Sequence, residues 1–164
     1  VAAPGCVKRF LAEAFAKKSG RMRKIGEIGK RGVEMTLEEA AARYGKDPFA
    51  TKALGAVIEE VGDGYAKCSV ELRDIHRNSA GNVMGGVPAV LADFCFAVAS
   101  DADANRIVTL NSSITYLGMA KDGRLIAEGR RIKDGRSTCC YTVDITDGVG
   151  TQVVVANITG FRMR

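Results

Sequence analysis

The stretch Gly85–Ser100, GGVPAVLADFCFAVAS, decides the fold. Val87, Val90, Leu91, Phe94, Cys95 and Val98 recur at steps of three and four, the spacing of a helix. Pro88 stands in the first turn, where its missing N–H costs nothing. The helix is apolar nearly all round, so it belongs inside a domain rather than on a surface. Asp93 breaks that character, because an unpaired carboxylate costs on the order of several kcal/mol to bury. A structural Asp, tied to a basic residue or to backbone, is one explanation. A functional Asp is the other.

On either side of this helix the period changes to that of strands. Upstream, Val57, Glu59 and Val61 alternate with less apolar neighbours, Asp63-Gly64 marks a tight turn, and Tyr65 to Arg73 resumes a strand, which together predict a hairpin. Downstream, strands are expected near 106–119, 124–133, 136–146 and 151–162. Asp122-Gly123, Asp134-Gly135 and Asp147-Gly148 punctuate them as successive hairpin turns of one meander. An antiparallel sheet curled round one apolar helix buries that helix on all sides, which makes an α+β domain.

Two short helices precede the hairpin. Thr36-Leu-Glu-Glu39 has the form of a capping box and starts a helix from about Leu37 to Tyr44. Asp47-Pro48 repeats the start signal and carries a second helix to about Ala53. Before residue 35 the composition shifts: residues 1–34 hold nine Lys and Arg against three Glu, within a chain of net charge +5. A short helix from about Cys6 to Lys18 and a glycine-containing linker over Gly20–Gly32 are expected there. With Phe10 and Phe15 as its aromatics, this basic arm is a solvated extension, and neither nucleic acid nor membrane is an expected partner. Docking of the arm on anionic lipid or nucleic acid is the competing function.

Composition removes several chemistries. The chain has 164 residues, 46% of them hydrophobic and 26% charged, which fits one globular domain. No apolar run approaches the roughly 20 residues of a membrane span, and the first residues lack the order of a secretory signal, so a cytoplasmic location is expected. Five cysteines without a C-x-x-C pair and a single histidine, His76, argue against a disulfide framework, a metal site and His-based triads. Cys95 is read as a small core residue. Catalysis rests on carboxylates, hydroxyls and backbone amides.

The loop ahead of the helix narrows the choice. His76-Arg-Asn78-Ser-Ala-Gly81-Asn82-Val-Met84-Gly85-Gly86 reaches the helix through two adjacent glycines, which let a ligand approach the first-turn amides. Those amides and the helix dipole polarise a carbonyl placed against them. The run Asn78-x-x-Gly81-x-x-Met84-Gly85-Gly86, followed by Leu91-Ala92-Asp93, resembles the PaaI-type branch of hotdog thioesterases, whose usual form is N-x-x-G-x-x-H-G-G followed by L-A-D. Asp47-Pro48-Phe49-Ala50, the segment Glu60–Ala66 and Ile114-Thr115-Tyr116-Leu117 agree with it. The resemblance covers about residues 35–163 and leaves the basic arm outside a hotdog domain over 35–164.

The resemblance implies hydrolysis of an acyl-CoA without a cofactor. Asp93 would be nucleophile or general base, Gly85 would donate its amide to the thioester oxygen, and Asn78 would hold substrate or water. Thr109, on the strand after the helix, would assist the water. Asn111 and Ser113 are taken as further candidates on the same strand face. It also implies a homodimer or homotetramer, with Asp93 of one subunit facing Gly85 of another. Met84 replaces the usual His and cannot donate a hydrogen bond, so it, with Gly86, is assigned to substrate binding. Loss of that donor leaves a non-catalytic acyl-CoA binder as the alternative. A dehydratase using His76 is a third possibility, since related hotdog folds use a His with an acid.

Overall fold

The computed structural model describes residues 35–100 and 107–163, so the basic arm and its expected helix lie outside the described residues. The first helix, α1, spans Leu37–Tyr44. Thr36 Oγ1 accepts the Glu39 N–H at 3.2 Å and Glu39 Oε2 accepts the Thr36 N–H at 2.8 Å, which closes the expected capping box. Asp47 Oδ1 then accepts from Phe49 and Ala50 at 2.9 and 3.1 Å, starting a wide, π-type helical segment over Pro48–Leu54. Gly55 ends it at φ +84°, where a Cβ would be strained.

Strands β1 (Ala56–Gly62) and β2 (Tyr65–Glu71) form the expected hairpin. A short 3₁₀ turn, Asp74–His76, and the glycine-rich loop lead into α2, Gly86–Ser100. Strands β3 (Ile107–Tyr116), β4 (Arg124–Asp134), β5 (Thr138–Asp147) and β6 (Gln152–Arg162) complete a six-stranded sheet of order β1-β2-β4-β5-β6-β3, with each named pair antiparallel.

That order corrects the meander. Asp134-Gly135 and Asp147-Gly148 do sit where β4 turns into β5 and β5 into β6, but Asp122-Gly123 closes no hairpin, because β3 pairs with β6. A β3–β4 hairpin would separate β1 and β2 from the rest of the sheet. With β4 seated between β2 and β5, one continuous surface lies under α2, and β3 is displaced to the far edge.

The inner face of the sheet alternates as strand geometry requires. Leu125 and Ala127 of β4, Cys139, Tyr141, Val143 and Ile145 of β5, and Val154, Ala156 and Ile158 of β6 are buried with Leu91, Cys95, Phe96 and Val98 of α2. Each large apolar side chain contributes about 1.5–3 kcal/mol on burial. The Phe96 and Tyr141 rings meet edge to face with centroids 5.4 Å apart. Gly129 lets helix and sheet close up, since a Cβ there would stand 3.2 Å from Cys95 Sγ.

The helix is not enclosed on all sides, as the sequence led us to expect. Ala89, Val90 and Ala97 are half-buried, and Asp93 between them is exposed. These positions form one stripe turned away from the chain's own sheet. The sheet has one concave face to offer, and a helix of this diameter cannot be covered by it all the way round.

Candidate active site

Asp93 sits in the middle of the open stripe. Thr109 Oγ1 donates to Asp93 Oδ1 at 2.9 Å, so the structure joins two of the four residues that sequence reasoning put forward for the chemistry. No ion pair reaches Asp93 among the described residues. The expected burial of this carboxylate is therefore corrected for the protomer: solvent hydrates it, and no basic partner is required. A hydroxyl donating to one oxygen leaves the other oxygen as an acceptor for a water or as an attacking atom.

Thr109 owes its direction to a β-bulge. Along β3 and β6, Thr109 pairs with Gly160 and Asn111 with Thr159, so Leu110 is the extra residue. Directly paired residues share a face. Thr109, opposite buried Gly160, therefore lies on the helix side, as do Ser112 opposite Ile158, Ile114 opposite Ala156, and Tyr116 opposite Val154. Asn111 and Ser113, opposite Thr159 and Asn157, lie on the other face. The strict alternation that grouped them with Thr109 fails at the bulge, and Ser112 takes the place that Ser113 was expected to hold.

Two turns upstream, the helix opens on Gly85 and Gly86. The Met84 carbonyl accepts the Val87 N–H at 2.9 Å, and the Gly85 carbonyl accepts the Ala89 N–H at 3.3 Å and the Tyr116 hydroxyl at 2.9 Å. The peptide planes on both sides of Gly85 are thus held, while the Gly85 and Gly86 amides have no acceptor among the described residues. A Cβ on Gly85 would lie 3.3 Å from three atoms of the Tyr116 side chain. Sequence reasoning missed Tyr116 as a brace for this turn. Its place in the Ile114–Leu117 motif was visible, but its face depended on the bulge.

Asn78 is spent largely on the loop itself. Its Oδ1 accepts from Ala80 and Asn82 at 3.0 and 3.1 Å, and its backbone exchanges bonds with Gly81 and Asn82. Gly81 supplies the turn with φ +78°, and Arg77 Nη1 donates to its carbonyl at 2.9 Å. What remains of Asn78 for a ligand is its side-chain NH₂. Met84 is 58% exposed beside Gly85.

Gly85 and Asp93 do not meet within one protomer. Eight residues on one helix separate them by about 12 Å at a rise of about 1.5 Å per residue, too far to act on the same carbonyl. Cys95 is a buried core residue, as expected, with Sγ donating to the Ala66 and Ala127 carbonyls at 3.4 and 3.5 Å.

Comparison with known proteins bears on the same residues. The family model of the thioesterase superfamily matches residues 80–154, which include Met84, Gly85, Asp93 and Thr109. A curated Archaeoglobus fulgidus protein, whose name places it provisionally among the esterases, is 32% identical over 111 residues, spanning 67% of this chain and 72% of that protein. The solved PaaI protein of E. coli, from the phenylacetic acid degradation operon, superposes with a TM-score of 0.73 at 25% identity, covering 77% of this chain and 92% of that one. A Streptococcus pneumoniae protein, called a hypothetical thioesterase and solved with coenzyme A, gives 0.68 at 29% identity over 75% and 96% of the two chains.

Proposed function

The chain belongs to the thioesterase superfamily, in its PaaI-type hotdog branch, and from that premise we propose that it hydrolyses acyl-CoA thioesters to the free acid and coenzyme A. The observation that carries this is Asp93: an exposed carboxylate without an ion pair among the described residues, hydrogen-bonded by Thr109 on the open stripe of the central helix. Gly85 polarises the thioester carbonyl through its amide, which is oriented and unpaired among the described residues. Either Asp93 attacks that carbon, the C–S bond breaks and water then cleaves the acyl-Asp93 anhydride to release the acid, or Asp93 takes a proton from a water that attacks the carbon directly as the C–S bond breaks. In both routes the coenzyme thiolate leaves and is protonated. Asn78, Thr109 and Gly86 orient water and substrate, and Met84 lines the acyl path. Asn111 and Ser113 are left to contacts on the outer face of β3.

A second copy of the chain completes the site in this mechanism, because Gly85 and Asp93 of one helix stand about 12 Å apart. Two helices laid antiparallel along their open stripes bring the amide of one protomer to the carboxylate of the other. The β3 edge favours this dimer: Val108, Leu110, Leu117 and Met119 are exposed on or beside it, and an unpaired edge of that kind invites a partner strand. Pairing of two such dimers makes a tetramer. The free thiols Cys68, Cys95, Cys139 and Cys140 favour the cytoplasm as the compartment, with residues 1–34 an extension of the domain.

A panel of acyl-CoA substrates with detection of free thiol tests the activity, and single-turnover reaction in ¹⁸O-water tests the step, since label found in the Asp93 carboxyl requires an acyl-Asp93 anhydride opened at the Asp93 carbon. Met84 motivates a second function, acyl-CoA binding without turnover. Calorimetric binding with no thiol release across the panel would favour it.

A further inference from the structure

His76 takes no part in the mechanism above, yet it is buried at the stem of the loop that carries Gly85. The residue is 4% exposed. Nδ1 accepts the Arg73 N–H at 3.0 Å, and the His76 carbonyl accepts the Met84 N–H at 2.8 Å. Between these anchors Arg77 and Val83 pair as an isolated antiparallel bridge. The chain therefore leaves at His76 and returns at Met84, one residue before the amide that meets the substrate. Because Nδ1 is the acceptor, the neutral ring carries its proton on Nε2. Nε2 is enclosed and, among the described residues, makes no hydrogen bond of ordinary geometry, with the Leu54 carbonyl facing the ring as a weaker influence. What the imidazole supplies, and Leu or Phe would not, is the acceptor at Nδ1.

We propose that His76 is a positioning residue for the Gly85 amide: its neutral imidazole ties the entering chain to the loop stem, and protonation releases the stem. This rests on the thioesterase function proposed above. A proton on Nδ1 would set donor against donor at the Arg73 N–H. It would also put a charge beside the Arg73 guanidinium, which is held over the Ala53 and Leu54 carbonyls at 2.9 and 3.3 Å. Arg73 is the charged side chain acting on the ring, the Pro48–Leu54 segment faces it with the Leu54 carbonyl, and Asp74 and Arg77 beside it on the turn are exposed. Burial first, and Arg73 second, hold the imidazole below its ordinary range, against the opposing pull of that carbonyl.

His76→Asn keeps an acceptor close to the Nδ1 position and removes the titration, whereas His76→Phe removes both. Acyl-CoA hydrolysis by the intact chain is measured from about pH 8 to pH 5.5, together with amide exchange of Met84–Val87 and thermal stability. In the wild type, kcat is expected to begin falling toward pH 5.5 with KM steady, by less than the tenfold of His76→Phe because the imidazole is only partly protonated there, and the fall is expected to flatten in His76→Asn. His76→Phe is expected to be about tenfold slower at every pH and to lose protection at the Met84 amide. A wild-type acid fall preserved in His76→Asn, or full Met84 protection and full rate in folded His76→Phe, overturns the proposal. If the wild type cleaves no acyl-CoA, it is the thioesterase function that fails. Exchange at Met84, compared between wild type and His76→Asn across the same pH range, then still decides the clasp.

Discussion

Asp93→Asn separates chemistry from folding better than any other single change. The substitution replaces one carboxylate oxygen by NH₂ and leaves the other to accept the Thr109 hydroxyl, now at 2.9 Å from it. The side chain is exposed and lacks an ion pair among the described residues, so stability should move by no more than about 0.5 kcal/mol, or roughly 2 °C in Tm for a domain of this size. The rate should respond far more. A positioned base is worth about 10²–10⁴ in rate, which corresponds to about 2.7–5.5 kcal/mol of barrier. The loss should appear in kcat with KM little changed, because the amide that receives the carbonyl is untouched. Continuous thiol release with a chromogenic reagent reads both constants, and a thermal melt reads the fold. Thr109→Val supplies a cycle: alone it should slow turnover about ten- to a hundredfold, through the loss of one hydrogen bond to a charged group of about 1.5–3 kcal/mol, and in the Asp93→Asn background the effect should largely vanish. An Asp93→Asn protein that keeps its melting temperature and more than about a tenth of the wild-type kcat would refute the assignment.

Further outcomes follow from other contacts. Tyr116→Phe removes the hydroxyl that holds the Gly85 carbonyl at 2.9 Å, and one net hydrogen bond of about 0.5–1.5 kcal/mol predicts up to a two- to thirteenfold lower kcat with a melting temperature lowered by no more than about a few degrees, checked by steady-state kinetics and a thermal melt. Gly160→Ala places a methyl 2.6 Å from Ile107 Cγ2, 2.7 Å from Phe96 Cζ and 3.0 Å from Cys139 Sγ. Overpacking of that kind costs about 1–3 kcal/mol, visible as a lower denaturation midpoint, while Gly123→Ala, with nothing within 4 Å, should change little. Asp147 is buried where β5 turns to β6 and accepts the Lys121, Val149 and Thr151 amides at 2.8, 3.2 and 2.7 Å. Its burial opposes ionisation, but those bonds outweigh it and hold the carboxyl below its ordinary value. Its stabilising share is therefore complete above the ordinary carboxylate range and is lost as pH falls through the lowered value. Melting curves of Asp147→Asn should lie below wild type at neutral pH and converge with it in strong acid.

Much of the fold was legible because its signals are local. The capping box at Thr36, the Asp47-Pro48 start, the Asp63-Gly64 turn and the three-and-four spacing from Val87 to Val98 each reflect bonds or contacts made within a few residues. The elements they foretell stand where expected. The loop motif likewise marked Gly85 and Asp93. Pairing was less legible: Asp122-Gly123 reads like its two successors, yet β3 runs to β6, a choice made by residues more than thirty positions apart.

What the sequence determined by itself was therefore the set of elements, the helix that organises them and the candidate site residues, since backbone propensity and side-chain type are properties of neighbours along the chain. Tertiary structure alone decided the strand order, the bulge that turns Thr109 and Tyr116 toward the helix and Asn111 and Ser113 away, and the open stripe that leaves Asp93 in solvent. Each of these depends on which surfaces meet across the sheet, and an alternating pattern is the same whichever strand lies beside it and changes face wherever one residue is left unpaired.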